Sequence, residues 1–224
     1  VVLSRQMIAS GYLVAYQSGV YEEYMGWIYD HRLLFHGYDL MRMVGRLGFP
    51  IFCFLLVEGF MRTKNVKSYL LRMGIFALVS EIPFDLAVYH RIFDFESQNV
   101  FFTLFIGLLV LYGMNYFENT LPASKAPLRY LVAVTGVLAA QFLQTDYAGY
   151  GVLLIALLYE LRNNRKWLCI FGAIYTLLLE SFTAPLSFLF IYFYNGERGK
   201  QLPKYFFYAF YPAHLLLLWL VRML

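Results

Sequence analysis

Glu81 and Asp85 stand four residues apart in "LLRMGIFALVSEIPFDLAVY", so on a helix their carboxylates share one face, a turn apart. Carboxylates that close are a candidate proton acceptor or cation site, and they equally suit an ion pair between helices with Arg46 or Arg72. Pro83 lies between them and, having no N–H, loosens the local hydrogen bonding. A second set lies in "YFFYAFYPAHLLLLWL", where Tyr208, Tyr211 and His214 recur at three-residue spacing. Two phenols and an imidazole on one stripe suit proton transfer near neutral pH; the tyrosines also suit an aromatic belt at a bilayer interface. Gln98 and Asn99 bring side-chain amides to the start of another apolar run, and Arg46 and Glu58 flank "GRLGFPIFCFLLVEGF". Arg46, Glu58, Arg72 and Asp146 fall near the ends of apolar runs, where long side chains reach a polar boundary. Asp30 and His31 form a local pair in a polar stretch. No CxxC or His/Cys spacing points to a metal, and Cys53 and Cys169, within apolar runs, read as small hydrophobes.

The elements that position these groups are apolar almost throughout. The 224 residues are 61% hydrophobic and only 14% charged, against about 25% charged in ordinary soluble domains. That composition predicts an all-α, polytopic membrane bundle with no separate soluble domain. Taking about 20 apolar residues per span, the predicted segments are 45–61, 68–89, 100–117, 129–144, 147–161, 167–182, 184–194 and 204–222. Residues 1–44 then form a partial helix and an external polar segment, ahead of a membrane domain over 45–224. Basic residues follow every second segment: Arg62, Lys64 and Lys67; Lys125 and Arg129; Arg162, Arg165 and Lys166; Arg198, Lys200 and Lys204. The alternate connections are acidic or nearly neutral, so the positive-inside rule predicts those basic loops in the cytosol and the C-terminus outside. A net charge of +4 distributed over short loops argues for orientation in a bilayer and against nucleic-acid binding. The chain opens on Val1, and "VVLSRQMIASGYLVAY" reads as the tail of an apolar segment.

Six stretches, "GRLGFPIFCFLLVEGF", "RMGIFALVSEIPFDLA", "QNVFFTLFIGLL", "DYAGYGVLLI", "FYNGERGK" and "KYFFYAFYPAHLLLL", occur in the order and wording of the TraX family. From Gly45 onward the chain resembles that family, which is named for a conjugative pilin acetylase and is similar to transmembrane acyltransferases. The resemblance implies a multi-pass protein of the bacterial cytoplasmic membrane that moves an acetyl group from cytosolic acetyl-CoA to an amine or hydroxyl. The implied acceptor is pilin or an envelope glycan, with no metal. It also implies a first helix with an Asp-His pair, which nothing before Gly45 matches; the expectation is that this helix is missing here. Acetyl transfer requires a base, oxyanion donors and a site for the CoA phosphates. Under the resemblance the base is the histidine of that missing helix and His214 is the best candidate left in this sequence, with Glu81 and Asp85 orienting or charge-balancing an imidazole, and Gln98, Asn99 and Tyr208 donating to the oxyanion or acceptor. Arg46, Arg72, Asn195 and Arg198 hold the cofactor, helped by Arg62, Lys64 and Lys200. Two other classes use the same residue types: a transporter with carboxylates at membrane depth, and a noncatalytic factor of pilus or envelope assembly.

Overall fold

The computed structural model describes residues 29–120, 122, 127–197 and 206–223. The expectations for residues 1–28 and for Lys125, Arg198, Lys200 and Lys204 lie outside the described residues. Contacts divide the chain into Val1–Leu47 and Gly48–Leu224. In the described part of the first unit, Leu33, Met41 and Val44 are exposed, and the Arg32 guanidinium lies 5.0 Å over the Tyr29 ring.

Eight α-helices and no strands occur among the described residues. They are α1 (Arg32–Arg62), α2 (Val66–Val88), α3 (Val100–Thr120), α4 (Leu128–Phe142), α5 (Ala148–Glu160), α6 (Arg165–Leu179), α7 (Ser187–Phe193, entered by a single 3₁₀ turn) and α8 (Phe206–Met223). Helix α1 starts well before the predicted 45, because Asp39, Arg42 and Arg46 do not interrupt a stretch otherwise rich in the helix formers Leu, Met and Arg. Asparagine opens three of these helices. Asn65 Oδ1 accepts from Ser68 N at 2.9 Å, Asn99 Oδ1 from Phe101 N at 3.0 Å, and Asn164 Oδ1 from Trp167 N at 3.3 Å. Each satisfies a backbone N–H that the helix itself leaves unpaired.

The directions of the helices in the second unit follow from which residues meet. Phe49 stacks on Tyr147 at 3.4 Å and Phe60 meets Tyr159 edge-on at 5.9 Å, so α1 and α5 run the same way. Thr103 bonds Thr145, and Asn115 and Glu118 bond Tyr159, so α3 runs with them. Helix α2 is antiparallel to α3, since Asn99 meets Ala77 and Glu81 while Phe105 packs on Gly74. Helix α8 is parallel to α2: Tyr208 stacks on Phe76 at 4.9 Å, and Tyr211, one turn on, has Glu81 as a neighbour. Helices α3 and α4 cross closely enough that a Cβ on Gly136 would collide with Val110. One on Gly151 would lie 2.8 Å from the Phe49 ring, so this contact between α5 and α1 requires glycine.

Large apolar side chains point outward as well as inward. On α2, Leu71, Ile75, Leu78 and Val79 are exposed, as are Ile170, Phe171, Ile174 and Leu178 on α6 and Leu217, Leu220 and Val221 on α8. Two stretches are long and apolar enough to cross a membrane, Asp39–Arg62 and Val100–Thr120. Helices α4 and α5 are shorter apolar helices, and so are the stretches Ala184–Phe193 and Tyr208–Val221.

Candidate functional site

The helix directions gather charge at the two ends of the second unit. At one end stand the last turns of α1, α3 and α5 and the first turns of α2, α4 and α6, with Arg62, Arg129, Arg162 and Arg165. At the other end the segment between α2 and α3 meets the segment between α4 and α5. Here Gln98 N donates to Gln144 O at 3.0 Å and Asp146 N to Gln98 O at 2.7 Å, a single bridge between Gln98 and Thr145. The buried hydroxyls of Thr103 and Thr145 bond at 2.9 Å, and Tyr147 N donates back to Thr103 Oγ1 at 3.4 Å. Gln144 and Ala148, which bracket this turn, both adopt left-handed backbone, φ 50° and 41°. Neither is glycine, so each costs on the order of 1–3 kcal/mol that the surrounding contacts must offset.

Glu81, Asp85 and Asn99 converge on this end. Asn99 is fully buried; its amide donates to Ala77 O at 2.8 Å and to Glu81 Oε2, which also receives Asn99 N at 3.3 Å. Asp85, also fully buried, accepts Asp94 N at 2.9 Å on Oδ2. Glu81 Oε1, Asp85 Oδ1 and the Ser80 hydroxyl are buried without a hydrogen-bond partner among the described residues. Among the described residues Glu81 and Asp85 form no ion pair; Arg72 instead lies 6.0 Å over the Tyr69 ring. The carboxylates therefore share a face as the spacing predicts, and meet amides in place of guanidinium groups.

Tyr211 joins the group from α8. Its neighbours are the Val100 backbone N–H, Asp146, Glu81 and Tyr147, and its ring meets Phe101 edge-on at 5.0 Å. One turn back, Tyr208 has Tyr69 as a neighbour, so phenols line the α2–α8 contact from Tyr69 toward Tyr211. His214 lies apart from this line. Its Nδ1 meets Phe210 O at 3.1 Å, and its ring contacts are Phe210 and Tyr211 at 5.3 and 5.4 Å. Three-residue steps rotate about 60° backward around a helix, so Tyr208 and Tyr211 face inward while the third member of the series turns to the flank.

Among the cofactor candidates, Arg46 belongs to the first unit, where it is half-buried. Asn195 binds its own turn: Oδ1 accepts Glu197 N at 3.0 Å, and the amide donates to Glu197 Oε2 at 3.3 Å. That turn is held by two arginines. Arg62 donates to Gly196 O at 2.7 Å and to Glu58 at 2.6 Å, and Arg165 donates to Tyr194 O. Gly196, with φ 79°, is the residue the turn needs to be glycine. The Gln98 side chain makes no hydrogen bond to a described residue, unlike the engaged Asn99 amide.

Residues 24–222 match the family described as TraX protein. The chain belongs to the TraX family. The match starts upstream of Gly45 and takes in Asp30 and His31, which the resemblance read from the sequence motifs left out. A protein of Dichelobacter nodosus, described as probable fimbrial assembly protein FimC, serogroup H1, is 29% identical over 213 residues, covering 83% of this chain and 84% of its own length. No solved structure matches the chain. Within this TraX chain the sequence motifs draw attention to Glu81, Asp85, Asn99 and Tyr211, but read Asp146 only as a charge near the end of an apolar run. The signal for Asp146 was its place in "DYAGYGVLLI", one of the stretches that carry the family resemblance.

Proposed function

We propose that this TraX protein is a multi-pass protein of the bacterial cytoplasmic membrane that transfers an acetyl group from cytosolic acetyl-CoA to an amine or hydroxyl of a pilin or envelope acceptor. The observation that carries the reading is the convergence of Glu81, Asp146, Tyr211 and Asn99 at the start of α3, joined by the phenols of Tyr69 and Tyr208 to the end rich in arginine. Two carboxylates and a phenol from two helices and a strained turn, with the amide that opens α3, suit proton transfer beside a reacting carbonyl. The membrane reading is supported by apolar side chains facing outward on α2, α6 and α8 and by basic residues collecting at one end. That end is the cytosolic one under the positive-inside rule. There Arg72, Arg62, Lys64 and Asn195, with Arg198 beyond the described residues, are the groups for the CoA phosphates. Glu81 and Asp85 organise the far end, and Gln98 is the free amide available to an oxyanion. The relative's description as a fimbrial assembly protein favours a pilus-related acceptor, and equally a noncatalytic assembly role.

Purified protein incubated with radiolabelled acetyl-CoA and candidate acceptors tests the reading. Acetylated product with release of free CoA is expected. Absence of transfer to pilin, glycan and small amine or alcohol acceptors, in protein shown to be folded, would replace the enzyme by the assembly factor. Ion-coupled uptake in liposomes would replace it by a transporter.

A further inference from the structure

The carboxylates around the start of α3 are not used alike. Asp85 Oδ2 is occupied by Asp94 N, Glu81 Oε2 by Asn99, and Asp94 by Glu96 N and Arg91. These bonds hold the segment between α2 and α3 in place. Asp146 is different: its backbone is fixed while its carboxylate takes part in no hydrogen bond or ion pair with a described residue. Its N–H bonds Gln98 O, the preceding Thr145 is tied to Thr103, and the following Tyr147 is stacked on Phe49. Left-handed residues stand on both sides at Gln144 and Ala148. Nor does Asp146 cap α5, whose cap residue Tyr147 makes no side-chain cap bond. The charge of Asp146 reaches the phenols of Tyr150 on α5 and Tyr211 on α8, and Tyr211 is also within reach of Glu81 of α2 and of Tyr147. Asp146 itself is exposed, so water or a substrate reaches it.

We propose that Asp146 is the catalytic base of the acetyl transfer, in place of His214, and that the Tyr211 hydroxyl donates to the acetyl oxygen. This inference rests on the acetyltransferase reading. The acceptor's lone pair attacks the acetyl carbonyl carbon, and its O–H or N–H proton passes to an Asp146 carboxylate oxygen. The tetrahedral oxyanion is held by the Tyr211 O–H, and collapse breaks the carbon–sulfur bond. The CoA thiolate leaves and takes the proton back from Asp146, so the products are the acetylated acceptor and free CoA thiol. The Nδ1 bond of His214 to Phe210 O leaves Nε2 as the basic nitrogen, but its ring contacts are Phe210 and Tyr211 on the flank of α8, apart from Glu81 and Asn99, so it fits the base role less well. Glu81 and Asp85 are held by the bonds that shape the site, and the fold leaves only the Asp146 carboxylate of this group unengaged on both oxygens.

The test compares wild type, Asp146→Asn and Asp146→Glu as full-length purified proteins, reading turnover, KM for acetyl-CoA and melting temperature. Asparagine keeps the shape and disturbs no bond the carboxylate makes, so its melting temperature should match wild type while turnover falls about 10²-fold or more. Asp146→Glu should recover part of the turnover, and KM for acetyl-CoA should move little in either variant. Asparagine turnover within a few fold of an active wild type overturns the role of Asp146 and leaves the acetyltransferase reading standing. A folded wild type that transfers nothing overturns both. If Asp146→Asn does not fold, wild type treated with a water-soluble carbodiimide and glycine ethyl ester decides the question. Modification of Asp146 that abolishes transfer supports the proposal. An unmodified Asp146 beside a modified Glu197, or modification with transfer intact, overturns it.

Discussion

Around Tyr159 at one end of the second unit, Arg162 holds Glu118 at 2.8 Å and Arg129 holds Glu160 at 2.6 Å and Glu118 at 3.8 Å, tying α3, α4 and α5. The Tyr159 hydroxyl donates to Glu118 at 3.1 Å, and the Arg162 guanidinium covers the Tyr159 ring at 4.0 Å. Around Thr145 at the other end, Glu81, Asp85 and Asp146 have no cationic partner among the described residues. Both ends place charge beside packed helices; the first pairs its carboxylates with arginines, whereas at the second only Asp94 among the described residues has such a partner, Arg91 at 3.2 Å. Charges that cancel within the fold describe architecture. Carboxylates held by amides and backbone, with oxygens unpaired among the described residues, suit contact with another molecule.

The comparison breaks most completely if the two ends are not on opposite sides of a membrane. After replacement of Cys53 and Cys169, Glu96→Cys should react readily with an impermeant thiol reagent in intact cells, and Asn163→Cys should react only after permeabilisation. The positive-inside reading also puts loops 62–67, 118–128 and 195–203 inside, and the C-terminus with Glu96. Reaction of Asn163→Cys from outside at the Glu96→Cys rate would remove the membrane-side assignment and the cytosolic route for acetyl-CoA.

Asn99→Ala should have the next largest effect. It removes a helix cap, the bond to Ala77 O and the bond to Glu81 at once, and leaves Glu81 buried with less support. A loss of roughly 2–4 kcal/mol is expected, combining a cap with a hydrogen bond to a charged group. Chemical denaturation in detergent measures it, and wild-type stability in Asn99→Ala would show that this end is not organised by the amide.

Much of the fold is legible without coordinates. The predicted segments 68–89, 100–117 and 147–161 fall on Val66–Val88, Val100–Thr120 and Ala148–Glu160 because long apolar runs there are punctuated by Asn65, Asn99 and the turn at Thr145. The start of α1 is not legible, since Asp39 and Arg42 look like a loop until the backbone is seen to continue through them. At the site, Glu81 and Asn99 stand out as polar groups in apolar runs, but their contact joins two helices across 18 positions and no spacing encodes it. The left-handed turn is hidden for a different reason: Gln144 and Ala148 carry none of the glycine signal that usually announces such a backbone. That concealed Asp146, which reads as a charge at a helix end.

At the paired end, Glu118→Gln should lower stability by about 1–2 kcal/mol, because Arg162 and Tyr159 lose a charged acceptor but keep a polar one. The groups are partly exposed, which keeps the loss below that of a fully buried pair. Turnover per folded molecule should stay within a few fold of wild type. A large loss of turnover at unchanged stability would mean that the paired end takes part in transfer, and the distinction between the two ends would have to be redrawn.

The smallest effect is expected at His214, the best base candidate that the sequence offers in place of the family's own histidine. Its Nδ1 meets Phe210 O within one turn of α8, and its ring stacks on Phe210 at the flank of the buried face. A glutamine amide can still donate to that carbonyl, and it keeps a polar group beside Tyr211. His214→Gln should therefore change turnover by a few fold at most, the size of one altered hydrogen bond, with an unchanged melting temperature. Steady-state transfer by His214→Gln and Asp146→Asn, assayed together in the same detergent, ranks the two groups directly. A loss of about 10²-fold at His214, with Asp146→Asn near wild type, would return the base to α8 and make the Thr145 turn a packing device.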